Sequence, residues 1–274
     1  MRNGIAEMDH LMTAVADPDA AGRDYERLGF TLTPLSVIHE MGLSNRLILF
    51  DPLTPDSGNF IELMAVHDAA RANPQMRAFL AGPAGTRSMV MASPDADAAR
   101  AELDRNGYAP GPVHRLARVW ELPSGERLDV SFDVLLPIAA PFTFNLCRHR
   151  TLQHYLRQEW RQHANGARSL VAVYGVASDP KAAIGYFEAL FGRPARQTAL
   201  GALAVAAAAV ELQIFSPDQF ADAFGLARTE GYAGFAIRVG DLAATRRLLG
   251  AAATERAGGL VAGPLHGNVI HFVA

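Results

Sequence analysis

The sequence predicts an α+β protein made of four β-α-β-β-β units, and three observations predict it. A short apolar strand, a helix and a glycine stop recur four times along the chain. After each stop come β-branched and apolar segments broken by turn residues. With 274 residues, half of them apolar, the chain is long enough for two domains of about 130 residues, each with its own core.

In the first unit Met8 to Ala16 reads as a strand. Asp17 to Leu28 then places Ala20, Ala21, Tyr25 and Leu28 at helical spacing, and Gly29-Phe30 stops the helix. The order returns at Ser88 to Ser93 with Asp95 to Asn106 and Gly107, then at Leu170 to Ala177 with Asp179 to Phe191 and Gly192. It returns more loosely at Phe235 to Val239 with Asp241 to Leu249 and Gly250. The later strands fall at about 31–38, 46–50 and 59–66 in the first unit and about 112–122, 127–135 and 142–147 in the second. Pro55-Asp56-Ser57-Gly58 and Pro123-Ser124-Gly125-Glu126 are the turn signals between them. The third unit offers 202–205 and 208–215, and the fourth ends in 269–273. Between the second and third units Leu152, Tyr155, Leu156 and Trp160 recur at helical spacing until Asn165-Gly166, which predicts a connecting helix over residues 151–167.

Charge and composition exclude several function classes. A formal net charge of −3, from 25 basic and 28 acidic residues, gives no general pull toward nucleic acid or anionic lipid. The longest run of apolar residues and glycine, Ala199 to Val210, is too short for the ~20 residues of a spanning helix, so no membrane partner is expected. The N-terminal residues lack the apolar stretch of a secretion signal, and a lone cysteine, Cys147, closes no intrachain disulfide. A cytoplasmic protein is the expectation. No G-x-S-x-G, no P-loop and no strand-turn-helix G-x-G-x-x-G is present.

Local signatures add to the repeat. Met8-Asp9-His10 opens the first strand, His39-x-x-Gly42-x-x-Asn45-Arg46 precedes the third, and Phe60-Ile61-Glu62-Leu63 lies in the fourth. Pro141-Phe142-Thr143-Phe144 and His163-x-Asn165-Gly166-Ala167 complete the set. Carried in this order over the whole chain, these elements resemble the vicinal oxygen chelate superfamily, in particular its glyoxalase-like branch. The resemblance implies that units pair into half-open, cupped mixed sheets with the active site in the cup. It divides the chain into a domain over residues 1–150 that carries the site and a second over 168–274 with a degenerate one.

Side chains two apart on a strand share a face, so His10 groups with Met12, and Phe60 with Glu62 and Met64. A carboxylate among apolar neighbours needs a cation or hydrogen-bond donors, which His10, Arg46 or a metal would supply to Glu62. The resemblance draws metal ligands from the first and fourth strands of both units, here His10, Glu62, Ser88 and Asn145. Serine and asparagine are poor ligands for the softer transition metals, and His39 in its turn is a candidate third ligand. Two readings therefore stand, one divalent ion on His10 and Glu62 or an ion-free hydrogen-bonded pair lining a pocket. The same offsets in the second half yield Ala172, Gly234, Glu211 and His271, with an ion pair expected between the last two. The histidines of the superfamily's two-domain ring-cleaving dioxygenases are missing there, which disfavours that chemistry. His67, His114, His149 and His266 read as surface residues.

The expectation is an enzyme of isomerase, epimerase or lyase type acting on a small oxygenated metabolite, with Glu62 as base. His10, His39 and Arg46 would hold the developing oxyanion, with Asn45, Ser88 and Asn145 beside them and Phe60, Met64, Met12, Phe142 and Phe144 as walls. The competing expectation is a protein that sequesters a small molecule unchanged, as the bleomycin-resistance relatives of the superfamily do. The alanine-rich stretch Ala202 to Ala209 would suit the close approach of a second copy in a homodimer.

Overall fold

The structure is a computed structural model and describes residues 2–274. Its first half runs β1 (Glu7–Ala14), α1 (Pro18–Arg27), β2 (Ser36–Ile38), β3 (Leu43–Leu49), β4 (Phe60–Val66), α2 (Pro74–Leu80) and β5 (Gly85–Ala92). It continues through α3 (Ala96–Arg105), β6 (Val113–Glu121), β7 (Arg127–Ile138) and β8 (Phe144–His149). The second half runs β9 (Ala167–Val176), α4 (Pro180–Phe191), β10 (Arg196–Gln197), β11 (Leu203–Ala206), β12 (Glu211–Phe215) and α5 (Pro217–Phe224). Then come β13 (Gly231–Val239), α6 (Leu242–Leu249), β14 (Ala253–Arg256), β15 (Gly259–Leu265) and β16 (Asn268–Val273).

The helix that follows the first strand of each unit starts for one reason. Asp17, Asp95, Asp179 and Asp241 each accept hydrogen bonds from the helix's first free N–H groups, which water would otherwise have to satisfy. Two further helices, α2 and α5, stand outside the elements that the repeat predicts. Their signals were Asn73-Pro74 and the reciprocal capping box of Ser216 and Gln219.

Two eight-stranded mixed sheets result, ordered β2-β3-β4-β1-β5-β8-β7-β6 and β10-β11-β12-β9-β13-β16-β15-β14. At the centre of each, the first strands of two units run antiparallel, β1 with β5 and β9 with β13, and each takes its own unit's fourth strand in parallel. In the first sheet the two edges also meet. The Nε1 of Trp120 on β6 donates to the Leu35 carbonyl just before β2 at 3.4 Å, so the cup is nearly closed into a barrel.

One apolar core runs between the helices and the outer faces of both sheets, uniting Tyr25, Phe30, Met91 and Phe144 with Phe187, Phe235 and Phe272. Each such side chain, fully buried, contributes about 1.5–3 kcal/mol. Polar stitches cross between the halves. Asn59 bonds the Leu170 backbone in both directions, at 3.0 and 3.3 Å. The buried Glu7 carboxylate accepts from the N–H groups of Ala208, Ala209 and Val210, so the alanine-rich stretch is engaged within the chain.

Residues 151–167 do not form a helix. They make two short 3₁₀ turns, Leu152–His154 and Gln158–Trp160, neither with a side-chain cap. The periodic apolar residues there are anchors: Tyr155 and Trp160 are buried, with ring centroids 6.2 and 5.2 Å from that of Trp120. The His163 to Ala167 element that follows is a staple. His163 accepts from the Thr31 N–H at 3.0 Å and lies 2.8 Å from the Leu49 carbonyl, while Asn165 donates to the Leu28 carbonyl at 2.8 Å. The first edge strand is also shorter than expected, because Thr33 bonds Leu47 from outside the ladder.

Candidate active site

The concave face of the first sheet encloses a void of about 730 Å³, mouth included, of which water centres can occupy about 90 Å³. That inner space equals several waters at ~10–15 Å³ each, enough for a small organic molecule. Its wall is mostly apolar, with Met12, Ile38, Leu43, Met64, Met76 and Phe132 among the lining residues. Its polar members are His10, Asn45, Glu62, Arg118, Asn145, Cys147, His149 and Tyr155.

Strand alternation and one irregularity bring the polar groups together. His10 pairs with Phe60 and Met12 with Glu62 in the parallel β1–β4 ladder, so the imidazole and the carboxylate sit one step apart on the same face. His10 Nε2 lies 3.6 Å from Glu62 Oε2, and both side chains are buried. The other Glu62 oxygen accepts from Asn45 Nδ2 at 2.6 Å, and the His10 ring stacks on Phe60 at 4.1 Å, fixing both planes.

Strict alternation would turn Asp9 to the opposite side. The β1–β5 pairing slips between Met8 and His10, so Asp9 is the extra residue of a bulge, which re-aims its carboxylate. Asp9 Oδ2 lies 2.5 Å from His10 Nδ1 and 2.8 Å from His149 Nε2, while Oδ1 accepts from the Gly58 N–H at 2.5 Å. Burial alone would raise the Asp9 pKa, but His149 and His10 outweigh it and hold the carboxyl well below the usual range. Burial likewise works against charge on His149, yet the neighbouring Cys147 and Asp9 push its pKa well above the ordinary value. The Cys147 thiol, 3.8 Å from His149 Nε2, is pushed up by burial. An ionised Asp9 accepts from both rings, which fixes His10 with Nδ1–H toward Asp9 and Nε2 toward the cavity.

Several expected residues stand elsewhere. Arg46 points away from the cavity because its neighbour Asn45 points in; its guanidinium reaches Glu26 at 2.9 Å, Asp19 at 3.7 Å and the Thr33 carbonyl at 2.9 Å. It lies across α1 where Gly22 leaves room, since a Cβ there would come within 2.5 Å of Arg46 Nη1. His39 sits in the 3₁₀ turn His39–Met41, outside the cavity, its ring centroid 6.3 Å from that of His67. Phe142 and Phe144 belong to the core on the other face of the sheet. Ser88 is buried below the cavity and donates to the Asn145 side-chain oxygen. His149 and His266 are not surface residues: His149 completes the site, and His266 bonds Asp24 at 3.0 Å. The signal for His149 was its spacing, since Asn145, Cys147 and His149 alternate on one strand. Arg118 gave the same signal between Leu116 and Trp120.

Asp9, His10 and His149 bring one potential ligand atom each to within 4.8 Å of one another. Their atoms are, however, spent on each other. Ligands 2.5 Å apart, as Asp9 Oδ2 and His10 Nδ1 are, would subtend only about 73° at a metal with ~2.1 Å bonds. His10 Nε2 and Glu62 Oε2 are suitably spaced for one ion, but the positions that would complete a four-ligand set, Ser88 and Asn145, bond each other. The donor set does not fit a conventional divalent centre.

In the second sheet backbone bonds set the correspondence. Val15 N–H donates to the Met64 carbonyl and Ala177 N–H to the Phe215 carbonyl, both at 3.0 Å, so the counterpart of Glu62 is Gln213 rather than Glu211. Glu211 pairs with Arg196 at 2.5 Å, and His271 Nδ1 bonds the Tyr174 hydroxyl at 2.7 Å, so the expected Glu211–His271 pair does not form.

A family model described as "Glyoxalase-like domain" matches residues 8–191. A hypothetical protein from Staphylococcus aureus aligns with a TM-score of 0.65 at 11% identity, covering 97% of this chain and 98% of that one. A triple mutant of 4-hydroxymandelate synthase from Streptomyces coelicolor aligns with a TM-score of 0.58 at 11% identity, covering 98% and 92%. Methylmalonyl-CoA epimerase from Mycobacterium tuberculosis aligns locally, with a TM-score of 0.34 at 21% identity over 53% of this chain and 88% of its own. At these identities the likeness speaks for the fold alone. No curated protein matches the sequence. Among the described residues no helix is long and apolar enough to cross a membrane. The repeat, the paired sheets and the matched family model agree: the chain belongs to the glyoxalase-like domain family of the vicinal oxygen chelate superfamily.

Proposed function

We propose that this chain is a proton-transfer enzyme, an isomerase or epimerase, acting on a small molecule with an acidic C–H beside a carbonyl. One observation carries the reading: His10 Nε2 and Glu62 Oε2 face each other at 3.6 Å in a mostly apolar cavity. Glu62, as carboxylate, takes the proton from carbon, and the C–H electron pair moves toward the carbonyl oxygen. His10, as imidazolium, gives that oxygen the Nε2 proton, forming an enol. For epimerisation the planar enol turns its other face to Glu62, which returns the proton to carbon while His10 takes back the enol proton. For isomerisation of a 2-hydroxy carbonyl compound Glu62 protonates the former carbonyl carbon while the neighbouring hydroxyl gives its proton to His10 and becomes the new carbonyl. Asp9 is a positioning residue that holds the His10 ring and balances its charge. No step runs through a metal, in keeping with the donor set.

The test is wash-in of solvent deuterium, followed by NMR, over small enolisable ketones and 2-oxo acids. One member is expected to exchange at a protein-dependent rate that Glu62→Gln lowers by about 10²–10⁴-fold and dialysis against a chelator leaves unchanged. An unchanged rate in Glu62→Gln overturns the reading. The apolar wall favours a second reading, sequestration of a small molecule without reaction, and an intact ligand recovered from protein that catalyses no exchange would support it.

A further inference from the structure

We propose that Arg118 is the anchor for a carboxylate on the ligand, so that the molecule taken into this cavity is a compact carboxylic acid with an apolar body. The inference rests on reading the cavity as a ligand site but not on the proton transfer. Arg118 is 7% exposed and lines the cavity between Leu116 and Trp120. Its Nη1 donates to Ser36 Oγ on the opposite edge strand, its guanidinium lies 5.6 Å from the Trp120 ring centre, and its Nε is buried with no partner.

A buried guanidinium left without an anion is unfavourable, because the charge has lost its water and gained no partner. Elsewhere the chain satisfies this demand: the largely buried Arg46 has both Glu26 and Asp19. Among the described residues no carboxylate lies within 4.0 Å of Arg118. Glu62, the acid that shares its cavity, is already committed to Asn45 through one oxygen and faces His10 with the other. The missing anion is therefore one that enters with a ligand. Arginine binds the two oxygens of a carboxylate in a fork, and the guanidinium that borders this cavity has no such partner within the chain. The walls beyond it, Ile38, Leu43, Met76, Phe132 and Val134, suit an apolar body.

The experiment is calorimetric titration of the full chain with matched probes: benzoate against benzamide, hexanoate against hexanamide, and inorganic phosphate. At least one acid should bind about tenfold or more tightly than its amide. Arg118→Gln should remove that preference and leave the amide within about twofold, and Arg118→Lys should keep part of it. Equal binding of acid and amide, no binding by either acid, phosphate matching the acids, or an undiminished preference in Arg118→Gln overturns the proposal. Should Arg118→Gln fail to fold, the acid–amide comparison on the natural chain and Arg118→Lys decide. Calorimetry of the acid–amide pairs and deuterium exchange are separate readouts on the natural chain, so failure of the proton-transfer reading and failure of this one are read separately.

Discussion

The two concave faces of this molecule share topology and register, yet the first encloses a cavity and the second is filled. The paired positions Met12 and Glu62 correspond to Tyr174 and Gln213, His10 to Ala172, and Met64 to Phe215. The link after the fourth strand differs as well. In the second half α5 begins at Pro217, two residues past β12, and sets Phe220 and Phe224 against Tyr174 and Phe215. In the first half α2 begins only at Pro74, after a longer link from Val66, and contributes the slimmer Met76 to the cavity wall. Room for a ligand was thus decided by side-chain size at a few register positions and by one connecting segment, with the backbone plan unchanged.

If one face is a packed core and the other a vessel, hollowing them should not cost the same. Phe224→Ala is expected to lose about 3–5 kcal/mol, because the ring is packed on several sides by aromatic neighbours. Met64→Ala, beside an existing void, should lose about 2 kcal/mol or less. Midpoints of urea unfolding measure both, and equal losses would break the comparison.

The acid limb of stability sharpens it. Burial among aromatic residues pushes His271 down to about 4, and no carboxylate has been supplied to offset this. The unfolded chain therefore binds the proton first. This histidine's contribution is full above the unfolded value of about 6.5 and is lost as pH falls toward about 4, on the order of 3 kcal/mol in all. His271→Gln should flatten that limb, with a residual slope from His163, which burial also holds below its usual value. In the first face His149 shifts the opposite way, because Asp9 was placed beside it. A stability curve that falls identically in the natural chain and His271→Gln would show that the second face is wetter than its packing implies.

The repeat was legible because the helix after each unit's first strand starts on an aspartate and stops near a glycine, and both survive as one-letter signals. His10 and Glu62 were legible because alternation places them one ladder step apart. Asp9 was not, since a bulge has no composition signature and overrides alternation for a single residue. Arg46 was misread for the converse reason: alternation holds in β3, so if Asn45 faces the cavity its neighbour cannot. Arg118 and His149 carry the right spacing, but alternation alone does not say which face of their strands turns toward the cavity. The connector misled because apolar spacing reports where anchors fall, and Tyr155 and Trp160 reach their pockets from 3₁₀ turns as readily as from a helix.

The smallest expected effect belongs to His39. The sequence makes it a candidate to swing into the cup, but the structure holds it in a turn closed by Gly42 at a φ of 61°, with its ring toward His67 at the rim. Its neighbours Met41 and Leu43 line the cavity, and His39 does not. His39→Ala should therefore leave deuterium exchange within about twofold and stability within about 0.5 kcal/mol, as for a surface substitution. A large loss of exchange with unaltered unfolding would mean that the turn opens in solution and that the polar end of the first face includes a third imidazole.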